Sequence, residues 1–173
     1  MKKMLWFDRQ FTFGLPPEML PFYLERLEGT ISRLMGKVKN CPEEILSMKA
    51  DGKWSVKQNI GHLAEVDEIS SRRIDEIRAG TPYLSPAVFD VRLDYNAQTV
   101  NEVLRYFTDA RTKNLEKYKR LVESDLAKSS IHPRLKLPMT PVDLAWFDAE
   151  HDDHHAVRIN EIISAFGSRV NSH

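Results

Sequence analysis

WFDAEHDDHHAVRINEII, residues 146–163, places three of the chain's six histidines within five positions. An α-helix advances about 100° per residue, so side chains four apart stand one above the other. His151 and His155 have that spacing. The stripe they define runs through Leu144, Asp148, His151, His155, Ile159, Ile162 and Phe166. It predicts a helix whose inward face is apolar at both ends and polar in the middle. Each polar group buried there without a partner would cost about 1–3 kcal/mol. A divalent cation offsets that cost, because neutral imidazoles one turn apart can ligate one ion from a single helix. The plainer alternative is one histidine packed in the core and the others in water; a third ligand elsewhere in the chain would favour the metal.

Three more helices precede this one. After Pro17, Leu20, Leu24, Leu27, Ile31, Leu34 and Val38 recur at 4-3-4-3-4, an apolar seam of bundle type. Ser55-Val56-Lys57-Gln58 is a capping-box pattern that opens a second helix, carried to about Ala79 and stopped by Gly80 and Pro82. Its apolar stripe (Val56, Ile60, Leu63, Val66, Ile69, Ile74, Ile77) puts His62 on or beside the buried side, a credible third ligand. Thr99-x-x-Glu102 opens a third helix, which should continue to about Ser124. Its stripe, ending at Tyr118 and Val122, is interrupted by Arg111 and Asn114, which either line a polar pocket or, for the arginine, snorkel to the margin. Thr140-Pro141 starts the last helix, with Met139 and Leu144 spaced as a hydrophobic staple. That helix should end near Gly167, leaving 168–173 as a frayed tail.

Four amphipathic helices with no alternating strand pattern predict an all-α four-helix bundle, one domain spanning residues 1–173. Long connectors join the second helix to the third (80–98) and the third to the fourth (125–139), and connectors of such length often have a function. Tyr83, Phe89 and Tyr95 should anchor the first of these, and Phe7, Phe11 and Phe13 an extended lead-in over 1–16. Asp51-Gly52 signals a turn in the connector before Trp54. His132 is expected to be a solvent or loop histidine.

Lys plus Arg equals Asp plus Glu at 25 each, which argues against a nucleic-acid footprint. The lone Cys41 precludes an internal disulfide and fits a reducing compartment; it is expected to be a small packing residue at a helix end, with a reactive thiol as the alternative. No window approaches the roughly 18 apolar residues of a membrane span, and the start lacks signal-peptide features. The expected setting is cytoplasmic.

The candidate metal ligands are therefore His62, His151 and His155. His154 could replace His155, since i, i+3 also shares a face, but the apolar stripe favours His155. Three nitrogen ligands plus an open position is the arrangement of a catalytic zinc site, which lowers the pKa of bound water to about 7. Asp148, one turn before His151, could accept a hydrogen bond from an imidazole or act as a base. Asp152 and Asp153 are expected to face water, as is Glu65, while Asp67 shares a stripe with Leu63 and Ile74. Arg158 suits a surface salt bridge or a substrate carboxylate, and Trp54 and Trp146 suit packing at helix starts.

WSVKQNIGHLAEVDE (54–68) and AEHDDHHAVRINEI (149–162) resemble the two signatures of the DinB/YfiT-like superfamily of metal-binding proteins. The likeness extends to helix number, helix order and the Thr-Pro start of the last helix. It implies a four-helix bundle, often a homodimer, with a histidine triad on His62, His151 and His155 around zinc or nickel, or else iron or manganese. It also implies a metal-dependent hydrolase, or a transferase or isomerase using a low-molecular-weight thiol, acting on a small-molecule substrate. No separate signature selects a branch, and the family's link to DNA damage implies no DNA binding. The competing functions are a non-catalytic metal-binding or interaction module and a purely structural bundle. A di-iron carboxylate bundle needs Glu-x-x-His on two helices, where this chain has Asp148-x-x-His151 and Asn59-x-x-His62.

Overall fold

Local signals in the sequence become the helix ends of the fold. Ser55 Oγ accepts from the Gln58 amide at 3.1 Å while Gln58 Oε1 accepts from the Ser55 amide at 3.0 Å, opening the long helix α3 (Val56–Arg78). Thr99 and Glu102 make the same reciprocal pair at the start of α4 (Val100–Lys119). One 3-10 turn from Pro17 leads into α1 (Leu20–Val38). The short helices α2 (Glu43–Ser47) and α5 (Glu123–Leu126) and a two-residue hairpin, β1 (Ser130–Ile131) with β2 (Pro138–Met139), occupy the connectors. The last helix is α6 (Pro141–Val170). The computed structural model describes residues 3–49, 52–89 and 93–170, with side chains to Phe166. Asp51 and residues 171–173 of the expected tail lie outside the described residues.

Two boundaries differ from expectation. The third helix stops at Lys119 instead of Ser124, and Val122, assigned to its stripe, is 60% exposed at the start of α5. The helical backbone of α6 passes Gly167 and runs to Val170.

The bundle is mostly helical, with α3 packed against α4 and α6, and α1 packed against α6 and α4. The helices thus lie in the cyclic order α1, α4, α3, α6. Consecutive long helices α1 and α3 face each other across a diagonal, as do α4 and α6. Two apolar clusters fill the interior. One gathers Leu27, Ile74, Ile77, Leu115, Tyr118, Leu144 and Phe147. The other gathers Leu34, Ile60, Leu63, Val103, Phe107, Ile159 and Ile162. Asp67 on α3, Arg111 and Asn114 on α4 and Asp152 on α6, all buried, fall between members of one cluster and members of the other.

Arg111 is the centre of that polar layer. Its Nε donates to Asp67 on α3 at 2.8 Å, its Nη1 to the Leu27 carbonyl on α1 at 2.7 Å and to Asp152 Oδ2 on α6 at 2.6 Å, and its Nη2 to Asp152 Oδ1 at 2.9 Å. Asn114 adds a 2.9 Å bond to Asp67. Arg111 does not snorkel, and Asp152, expected in water, is 1% exposed. The reason is that α6 packs on both α1 and α3, so it buries a wider arc than one stripe. Asp153 reaches the surface, where Arg26 and Arg33 each hold it at 2.6 Å.

The lead-in is pinned by Asp143, which is fully buried. Its Oδ2 accepts from the Thr140 amide, capping α6, and its Oδ1 accepts from the amides of Gly14 at 2.9 Å and Leu15 at 3.0 Å. Gly14 turns there at φ +93°, a conformation that favours glycine. Trp6, not Phe7, is the buried ring: it sits 5.1 Å from Phe11 and from Phe147, whereas Phe7 is 76% exposed with the Arg134 guanidinium over it. Phe11 and Phe13 pack on Trp146 and Phe147 as expected. In the 80–98 connector Tyr95 and Leu84 are the buried anchors, and Tyr83 is exposed. Tyr95 lies so close to α3 that a Cβ on Gly61 would meet its ring at 2.5 Å.

Replacing Arg111 by Met leaves two carboxylates buried without their cation. The expected cost is about 3–5 kcal/mol of unfolding free energy in urea titrations. Adding Asp67→Asn and Asp152→Asn should recover most of it.

Candidate metal centre

His62 occupies the second turn of α3, and His151 and His155 stand one turn apart on α6. The structure brings these three together. Their ring centroids are 5.2 Å (62–151), 4.9 Å (62–155) and 4.5 Å (151–155) apart. One ligand atom from each lies within 4.8 Å of the other two. The Nε2 atoms of His151 and His155 are 3.2 Å apart, close to the about 3.3 Å edge of a tetrahedral site with zinc–nitrogen bonds of about 2.0–2.1 Å. His154 stands outside the group, its ring edge-on to His155. Among the described residues this is the one cluster of histidine, cysteine or acidic groups with ligand geometry.

Asn59 sets the orientation. Its Nδ2 donates to the Ser55 carbonyl at 2.7 Å, which leaves Oδ1 facing His155 Nδ1 at 2.7 Å. His155 therefore carries its proton on Nδ1 and turns the lone pair of Nε2 towards His151. Burial, together with the neighbouring histidines, holds both imidazoles well below their ordinary range. Both are neutral, the ligating form. His151 Nδ1 is buried with no hydrogen-bond partner. Neutral rings with adjacent Nε2 atoms form a donor set that a divalent ion fits. The sequence signal for Asn59 was its place three residues before His62 on the same helix face.

Aromatic rings wall the centre. Trp54, 45% exposed, lies 4.7 Å from His62 and stacks at 6.0 Å on His155, so it is more than a helix-start packing residue. Phe89 lies 4.8 Å from His62, and Trp6 lies 4.8 Å from His151. Two cavities of about 640 and 660 Å³ adjoin the triad, both lined by Trp6, Phe7, His62, Phe89 and His151. Glu65, expected in water, is largely covered and accepts from the Tyr95 hydroxyl at 2.9 Å. Arg158 makes the surface pair, with Glu161 at 3.4 Å.

Asp148 lines the 640 Å³ cavity and is 4% exposed. Its hydrogen bond comes from Ser70 Oγ, at 2.5 Å, and not from an imidazole. Burial pushes its carboxyl up to about 7, with the Ser70 bond opposing and the charge of Asp67 adding. His132 is also buried, at 4% exposure, because the hairpin folds it back against Arg73 and Phe147.

The sequence profile described as the DinB superfamily matches residues 26–157, a span that includes all three triad histidines. YfiT from Bacillus subtilis, described as a probable metal-dependent hydrolase with an unusual four-helix bundle topology, is similar in structure. Its TM-score is 0.78 at 20% identity, over 92% of this chain and 94% of that one. The mycothiol-dependent maleylpyruvate isomerase is similar at a TM-score of 0.63 and 14% identity, over 83% of this chain. This chain spans 60% of that protein. At these identities the likeness is one of fold. No curated protein matches this chain in sequence.

Because the folded carboxyl of Asp148 titrates near 7 and an unfolded one near 3.9, the native state binds the extra proton between those values. Its contribution to stability is present at low pH and lost as pH rises through about 7. Urea midpoints of the metal-free protein at about pH 5 and about pH 8 should differ by more than those of Asp148→Asn. Equal differences would assign Asp148 an ordinary carboxyl.

Proposed function

The chain belongs to the DinB superfamily, and on that footing we propose that it is a metal-dependent enzyme, a hydrolase or low-molecular-weight-thiol transferase, acting on a small molecule at His62, His151 and His155. One observation carries this reading: three imidazoles converge, and two of them, His62 and His151, line a cavity that also holds the Asp148 carboxyl, which burial pushes up to about 7. A divalent ion held there, zinc or nickel before iron or manganese, would supply Lewis acidity.

The chain's own residues do the rest. Asn59 fixes the His155 ring, and Trp6, Trp54 and Phe89 shield the centre from water. Asp148, with its carboxyl close to half-protonated at neutral pH and oriented by Ser70, takes a proton from the attacking group and returns it to the leaving group. The hydrolase reading is supported by the description of YfiT, and the thiol reading by the mycothiol dependence of the isomerase. A non-catalytic metal-binding module is the second reading; a cavity of substrate size beside the triad favours the enzyme. Among the described residues no helix is long and apolar enough to cross a membrane. The family resemblance supports a homodimer, and a cytoplasmic setting agrees with the part-buried, unpaired Cys41, which suits a reducing compartment.

Elemental analysis of tag-free protein should find about one divalent ion per chain, lost in His151→Ala and bound about 10–100-fold more weakly in Asn59→Leu. Turnover of an ester, amide and thiol-acceptor panel should vanish in His151→Ala. In Asp148→Asn it should fall by about 10²–10⁴ with the metal retained. Full metal occupancy in His151→Ala would remove the centre.

A further inference from the structure

Arg73 lies eleven residues after His62 on α3, which returns it to nearly the same face roughly 16 Å farther along the axis. It is 6% exposed and lines the same 640 Å³ cavity as His62, His151 and Asp148. A buried guanidinium is normally matched by a carboxylate. Among the described residues this one has none within ion-pair distance. Its Nη2 donates to the Ser85 carbonyl at 3.3 Å, and its Nε is buried with no partner. The nearest acids are engaged elsewhere: Glu76 takes the amide and hydroxyl of Ser85 and faces Arg72, and Asp148 takes Ser70.

Beside Arg73 Nη1, at 3.5 Å, is Nε2 of His132. The other ring nitrogen of His132 accepts from two backbone amides, Arg134 at 3.3 Å and Leu135 at 3.1 Å. Burial and the neighbouring cations Arg73, Arg134 and Lys136 hold this imidazole down to about 4, so the ring is neutral. A neutral ring that accepts at Nδ1 carries its hydrogen on Nε2. Two donors, an arginine N–H and an imidazole N–H, therefore stand side by side with no acceptor between them. Arg134 and Lys136 line the same wall, Lys136 in the left-handed conformation at φ +59°.

We infer that Arg73 and the Nε2–H of His132 form a carboxylate-binding subsite at the far end of the cavity from the histidine triad, and that the substrate is a small organic acid with an apolar segment between its carboxylate and the reacting bond. The second half of this inference rests on the proposed assignment of chemistry to the triad end; the subsite itself does not. One carboxylate oxygen accepts from Arg73 and the other from His132. The segment between the ends meets Val66, Ile69, Phe89 and Phe147, all apolar. Arg134 and Lys136 at the exposed rim raise the local concentration of anions.

The test uses straight-chain carboxylates from butanoate to decanoate and the matching primary alcohols, titrated calorimetrically into the metal-free protein. Carboxylate affinity should rise with chain length until the apolar segment is filled, with each alcohol at least about tenfold weaker. Arg73→Gln should abolish that preference. His132→Asn, which keeps an oxygen for the two amides and loses the N–H, should weaken octanoate by about tenfold. Independently of any variant's folding, nitrogen NMR of the wild type should show His132 protonated at Nε2, with that signal moving on octanoate addition. Equal binding of acid and alcohol, an unmoved His132 signal, or unchanged octanoate affinity in a folded Arg73→Gln protein would each overturn the subsite. Displacement of octanoate by glutathione would overturn the assignment to the substrate acid, since the pair would then hold the carboxylate of the thiol. Octanoate binding that survives in His151→Ala shows the subsite to be independent of the metal centre. Normal metal content without acid selectivity would sink the subsite alone.

Discussion

One guanidinium ties the four long helices together. Arg111 belongs to α4 and reaches a carbonyl of α1, a carboxylate of α3 and a carboxylate of α6. Stripping water from such a group is costly unless every donor finds an acceptor, so the helices can dock in few relative positions. Asp67 lies five residues after His62, and Asp152 lies between His151 and His155. The register that satisfies Arg111 is therefore the register that brings the three imidazoles within about 5 Å of one another. Structural clamp and candidate centre are one arrangement seen at two places along the same helices.

The same coupling reaches the electrostatics. Asp67 raises the affinity of Asp148 for its proton, while Arg111 and Arg73 lower it. Burial decides the outcome and leaves the Asp148 carboxyl near neutrality. Asp67 itself is pushed up to about 6 by burial in spite of Arg111 beside it. The polar layer between the two apolar clusters thus holds the bundle in register and sets the proton affinity of Asp148.

Helix starts and the histidine triad were legible in the sequence because each rests on local periodicity. Ser55 and Gln58, Thr99 and Glu102 signal their caps within four residues, His151 and His155 share a face by their spacing, and His62 lies on the buried side of its own helix. What the sequence hid depends on partners distant along the chain. Arg111 appeared as an interruption in a stripe, and nothing in the stripe says which acids close around it. Asp152, beside Asp153 between histidines, reads as solvated on a helix with one buried face, whereas α6 buries two. His132 is enclosed by a hairpin whose strands, two residues each, carry no period to detect. Glu65 is covered because Tyr95 passes over Gly61, a contact that only the folded connector creates.

The family match begins at residue 26 and takes in every polar residue of the centre, yet Trp6 and Phe7, which wall both cavities, lie before it. They are fastened to the bundle by ring contacts and by the two amides that Asp143 accepts. Chemistry and contour are thus encoded on separate pieces of chain. Selection can remould the pocket through a short amino-terminal ribbon while the scaffold that holds the three histidines stays as it is.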